Sequence, residues 1–175
     1  MAKAQPARWK WPPRGSWRAR PDIRMTTGLD DLRVEVALHE AGHAVIARVV
    51  GLAGNKATIV ARGNIMGTAW WKQDDGVKSV LAILAGRAAT EVILGYATDE
   101  GCEGDDEKVM KLLTTDWREP WYARKVRDDL LRECRKLIRK HRGAIEAVAH
   151  ELLDRETLSG WEIDQIIAQV RGPVH

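Results

Sequence analysis

Phenylalanine is absent from this chain, and it has only two tyrosines and two cysteines. Two thiols, Cys102 and Cys134, build neither a disulfide framework nor a Cys-x-x-Cys pair. A small cross-linked secreted scaffold is thereby excluded, and the usage fits a reducing compartment. Long apolar runs are also missing. The most apolar stretch, Ala44 to Ala53, is short and contains Arg48, so it reads as a core helix rather than a membrane span. The basic N-terminal segment has no apolar h-region and does not read as a secretory signal. No Gly-x-x-x-x-Gly-Lys-Ser/Thr phosphate loop occurs, so the sequence offers no P-loop nucleotide site. The expectation is a soluble cytoplasmic protein without membrane contact.

What is present suffices for a core. The 175 residues are 45% apolar, and eight tryptophans supply most of the aromatic bulk. The net charge of +3 is unevenly spread. Residues 1 to 24 carry seven basic side chains and one acid, a local charge of +6 that leaves −3 for the remainder. Trp9, Trp11, Trp17 and four prolines lie in the same stretch. Such a segment cannot bury its own core. The division expected is a basic Trp/Pro-rich arm over residues 1–28 and one folded domain over 29–172. The arm reads first as a solvated tail, next as a docking element for a partner or another subunit, and last as a nucleic-acid contact.

Hydrophobic spacing sets out a mainly helical domain. Val34, Leu38, Ala41, Val45 and Val49 predict a helix from about Leu29 to Gly51. Two short β-like runs, Lys56–Arg62 and Ile65–Trp71, flank a Gly63-Asn64 turn and suggest a hairpin. Val77 to Leu94 has helical spacing and is closed by Gly95. An acidic, glycine-containing loop is expected over Asp99–Asp106, then a helix from Lys108 to Thr115. After Glu119-Pro120, two further helices are expected, around Val126–Ile138 and Ile145–Leu153. A final helix opens with the capping box Ser159-x-x-Glu162.

The chemistry concentrates in His39-Glu40-Ala41-Gly42-His43. Histidines four residues apart stand on one helix face, so both imidazoles can reach one metal ion. Glu40 beside the first histidine can take a proton from a water on that metal. A catalytic zinc site needs a third protein ligand and an open position. The candidates are Glu91, Glu100, Cys102, Glu103, Asp105 and Asp106. Asp105 and Asp106 stand out because a carboxylate at a loop-to-helix entry is held firmly and kept ionised by the helix N-terminus. Gly42 costs about 1 kcal/mol relative to alanine inside a helix, which close packing against the Val77 helix would explain. Candidate substrate-binding residues are Met66, Gly67, Thr68 and Trp70, with Trp71 the alternative to Trp70. An extended peptide adding to that strand edge would meet them.

The motifs resemble one family in order. Val36–Val45 is similar to the zinc-binding helix of the FtsH proteases, ATP-dependent zinc metalloproteases of the AAA+ class. Lys56–Gly63, Leu84–Glu91, Gly101–Asp105 and Glu156–Leu158 with Ile163-Asp164 resemble four further family segments. The sequence departs from the pattern at Ala85, Thr90, Cys102, Gly104 and Asp106. The resemblance implies an FtsH-protease-domain-like helical array with a small β element near the zinc-binding helix. It implies Zn2+ held by His39, His43 and Asp105, with Glu40 as catalytic base. It further implies a metalloendopeptidase acting on unfolded proteins or peptides, here without the ATPase module or membrane anchor. Implied partners are the protein or peptide substrate, other copies in a homo-oligomer, and a separate ATPase. The alternatives are a zinc-binding adaptor or pseudoprotease without turnover and a nucleic-acid-associated module using the arm.

Overall fold

The computed structural model describes residues 28–62, 66–72, 76–114 and 119–171. The arm expected over 1–28 (apart from Gly28) and the Gly63-Asn64 turn lie outside the described residues. Helix α1 spans Gly28–Val49, strand β1 Gly54–Thr58 and strand β2 Thr68–Trp71. Helices α2 (Val77–Ile93), α3 (Asp99–Thr114) and α4 (Pro120–Arg155) follow, then strand β3 (Thr157–Ser159) and helix α5 (Gly160–Arg171). The architecture is mainly α with one small sheet. Among the described residues no helix is long and apolar enough to cross a membrane.

The core forms where α1, α2 and α4 meet. Leu38, Val45 and Ile46 of α1 pack with Ile83 and Leu84 of α2 and with Ile138, Ile145, Val148 and Leu152 of α4. Burying side chains of this size stabilises by roughly 1.5–3 kcal/mol each against exposure. The α1–α2 crossing is unusually close. A Cβ added at Gly42 would lie 2.5 Å from the Ala85 carbonyl oxygen and 2.7 Å from the Ala89 Cβ. The expected neighbour of Gly42 is therefore the observed one.

The sheet has the order β2-β1-β3, all antiparallel, with Ala57 opposite both Ala69 and Leu158. Ala57 and Leu158 are fully buried and hold the sheet against the helices. The chain enters β3 through Glu156, whose φ of 62° ends α4 in the left-handed region. The Glu156 amide donates to the Leu152 carbonyl, and its own carbonyl accepts from Ile59 N and Thr58 Oγ1. Those bonds hold a conformation that a non-glycine residue otherwise avoids. The capping box forms as expected: Ser159 Oγ and N both bond Glu162 Oε2, at 2.7 and 2.8 Å.

Two local expectations change. The segment read as an acidic loop is the first two turns of α3, beginning at Asp99. Helix α3 forms there despite the helix-propensity cost of Gly101 and Gly104. Among the described residues the paired strands are shorter than the expected runs, with ladder pairing at 54–58 and 68–71 and an isolated bridge at Arg62. The two helices expected around 126–138 and 145–153 are both present within α4 and meet at a kink at His141 (φ −106°, ψ 15°), between the two expected runs.

Candidate metal centre

His39 and His43 lie one turn apart on α1 with their Nε2 atoms 2.9 Å from each other. Asp105, in the second turn of α3, brings Oδ2 to 2.8 Å from His43 Nε2 and 3.1 Å from His39 Nε2. The three ligand atoms all lie within 4.8 Å of one another, and no other such group occurs among the described residues. His43 Nδ1 is 2.7 Å from the Ala82 carbonyl oxygen. A carbonyl can only accept, so Nδ1 donates and Nε2 is left facing the centre, the orientation metal-binding imidazoles adopt.

Helix α2 closes the centre from behind. A Cβ at Gly86 would lie 2.5 Å from the Nε2 atoms of both histidines. Only glycine leaves the imidazoles in this position. Trp71 flanks His43 from β2, with ring centroids 5.7 Å apart.

Electrostatics favour a positive charge between these groups. Burial disfavours charge on His43, but the adjacent Asp105 carboxylate prevails and raises its pKa to about 9. His39 is lowered, by burial and by the His43 charge. Burial also opposes ionisation of Asp105, yet the His43 charge and the hydrogen bonds from His39, His43 and Lys108 hold it far below the ordinary carboxylate range. Two imidazole nitrogens and one carboxylate are a donor set suited to a divalent cation such as zinc.

Glu40 is buried beside them, and burial raises its pKa to about 7 against the opposing charge of His43. Its Oε2 has no hydrogen-bond partner among the described residues. Leaving a buried carboxylate oxygen unpaired is costly, which marks this oxygen as kept for another purpose. Gly67 passes so close that a Cβ would lie 2.7 Å from Glu40 Oε1 and Cγ.

These groups open into a cleft of about 390 Å³ between α1, the β2 entry and α3. Met66, Gly67 and Thr68 line it. Trp70 does not. It is 41% exposed on the outer face with Lys56 Nζ 5.5 Å from its ring centroid, while Trp71 lines the cleft. Neighbours on a strand point to opposite faces, so only one of the two tryptophans can take that place.

The other ligand candidates are placed elsewhere. Glu91 meets Arg135 at 2.8 Å and Arg87 at 3.8 Å. Asp106 faces Arg127. Cys102 is buried, and burial pushes its thiol pKa up to about 11. Glu103 is exposed, and the Glu100 side chain lies outside the described set. Sequence reasoning named Gly86 only as a small residue for close helix packing and missed its contact with the imidazoles, the Ala82 carbonyl and Lys108, whose Nζ is 2.9 Å from Asp105 Oδ1. Lys108 left a signal in its i+3 spacing from Asp105 on a helix, whereas the Ala82 carbonyl left none.

The sequence profile of peptidase family M41 matches residues 29–116, half the chain and the part that contains the whole centre. This chain belongs to peptidase family M41. The M41 relatives it matches include the ATP-dependent zinc metalloprotease FtsH of Cupriavidus metallidurans, 25% identical over 196 residues. That match covers 85% of this chain and 30% of the relative. ATP-dependent zinc metalloprotease FtsH 2 of Symbiobacterium thermophilum is 33% identical over 174 residues, covering 76% of this chain and 30% of its own length. The FtsH protein of Thermus thermophilus is 27% identical over 177 residues, covering 75% and 28%. The M41 chain described here thus spans less than a third of the length of these relatives.

Proposed function

We propose that this M41 domain, residues 29–172, is a zinc-dependent metalloendopeptidase that hydrolyses peptide bonds in unfolded proteins or peptides. The observation that carries the reading is the convergence of His39 Nε2, His43 Nε2 and Asp105 Oδ2 beside the unpartnered Oε2 of buried Glu40. His39, His43 and Asp105 would hold the metal, and the cleft side would remain open to water and substrate. Zinc in such a site lowers the pKa of water toward neutrality and polarises a carbonyl.

The chain's own residues supply the rest. Glu40 accepts the proton of the attacking water at Oε2 and returns it to the leaving amine. Strand β2 is an edge of the sheet, paired with β1 on one side only. An extended peptide running along that free edge would gain main-chain hydrogen bonds while lying beside Glu40. Met66, Gly67 and Thr68 would contact it, with Trp71 in place of Trp70. A cleft that takes extended chain requires unfolded substrate. The relatives are named as ATP-dependent, so an ATPase is the partner expected to supply it.

A metal-binding adaptor without turnover is the competing reading. A purely structural cation needs no base, and the buried, unpartnered Glu40 favours the peptidase. The test is Glu40→Gln, assayed on casein beside metal analysis of both proteins. Cleavage should fall by about 10²–10⁴-fold with zinc content unchanged. Zinc-loaded wild type that cleaves nothing would support the adaptor, and wild type that takes up no zinc would overturn both readings.

A further inference from the structure

Asp105 and Asp106 are adjacent on α3 and, at 3.6 residues per turn, project about 100° apart. They meet different partners. Asp105 reaches the two imidazoles with Oδ2 and Lys108 with Oδ1. Asp106 meets Arg127, whose Nη2 lies 3.2 Å from each carboxylate oxygen and whose Nε lies 3.3 Å from Oδ1. Arg87 Nη2 stands 3.6 Å from the same carboxylate. The cluster ties α3 to α2 and α4, and it continues from Arg87 to Glu91 and on to Arg135.

Asp106 occupies a position that packing would normally claim. Cys102, Val109 and Leu113 are the buried residues of α3, and with Asp106 they follow one stripe at spacings of four, three and four. Apolar contacts along such a stripe are non-directional and tolerate small rotations of the helix. A guanidinium held against both oxygens of a carboxylate is directional. Turning α3 by one residue would bring Asp106 to the imidazoles and strip Arg127 and Arg87 of their common carboxylate.

We infer that Arg127, assisted by Arg87, is a positioning residue: by gripping Asp106 it fixes the rotation of α3 so that Asp105 faces His39 and His43. The inference rests on the metal site proposed above. It assigns Arg127 no contact with substrate or metal. Its effect is on how well the third ligand is aimed.

The test is zinc affinity of the full chain, measured by competition with a chromophoric chelator, beside thermal unfolding of the metal-free protein. Arg127→Met should raise the zinc Kd about tenfold or more, the range seen when groups that orient ligands are removed. Arg127→Lys keeps the charge without the fork and should give a smaller rise. It also provides the measurement if Arg127→Met does not fold. Leu113→Ala, on the same stripe, should lower the unfolding temperature with Kd unchanged. The inference is overturned if the Arg127 variants bind zinc like wild type. It is equally overturned if Leu113→Ala weakens binding as much for an equal loss of unfolding temperature. Asp105→Ala separates the two levels. If it keeps wild-type affinity, the metal-site reading fails; if it loses zinc while both Arg127 variants retain it, only the positioning role fails.

Discussion

The two sides of the centre are built by different means. On the α1–α2 side the histidines are placed by close packing of small residues, with Gly42 against the Ala85 carbonyl and Gly86 against both imidazoles. On the α3 side Asp105 is placed by charge, through Lys108, its neighbour Asp106 and the arginines of α2 and α4. Contact with backbone cannot yield without moving a helix, whereas ion pairs at partly exposed positions yield to salt and to rotation. One side should therefore fail abruptly and the other gradually.

Gly86→Ala is the strongest way to break the packed side. The atoms in the way are imidazole tips, so the helices can stay together while the imidazoles swing out of alignment. Zinc affinity should fall by about 100-fold or more with only a modest change in unfolding temperature, measured by chelator competition and calorimetry. Gly42→Ala meets a carbonyl instead. It should destabilise the fold by about 1–2 kcal/mol, because the overpacking cost exceeds the gain in helix propensity, and chemical denaturation would measure it. If both alanines were neutral, the packed side would be looser than described.

Lys108→Met probes the charged side. Its ammonium group is mostly exposed, so the loss in zinc affinity should be several-fold at low salt and should nearly vanish in about 1 M salt. A salt-independent loss would mean that Lys108 acts by packing. Glu162→Gln is the smallest perturbation and lies outside both regions. The Ser159 amide and hydroxyl, followed by Arg155, lower the Glu162 pKa to about 2. A depressed carboxylate contributes stability above its ordinary pKa of about 4.5 and loses it as pH falls through 2. Wild type should exceed the variant by under about 1 kcal/mol at neutral pH, with the gap closing in acid.

The packed side was legible in the sequence because its information is local. Two histidines at i and i+4, an amphipathic α1 and a glycine that needs a close neighbour can all be read within one helix. The charged side was legible only in part. Asp105 and Asp106 stood out as candidates, but Arg127 lies 21 residues beyond Asp106 and nothing local links them. The glycines at 101 and 104 argued for a loop where α3 begins, while its anchors were remote: Thr98 bonds Glu35 of α1, 63 residues away. Strand β3 was invisible for a related reason. Three residues carry no periodicity, and Thr157–Ser159 is a strand only because β1 lies beside it.

That third strand bears on where the working unit ends. The family profile stops at residue 116, and a fragment cut there would keep every side chain proposed to bind the cation. It would also lose the pairing of Leu158 with Ala57 and most of the apolar partners that α4 offers to α1 and α2. The wall opposite Glu40 would then be a two-stranded ribbon, and such ribbons are marginally stable in water. The end of the family profile and the end of the packed unit thus fall at different points along this polypeptide, and any excision experiment has to respect the second.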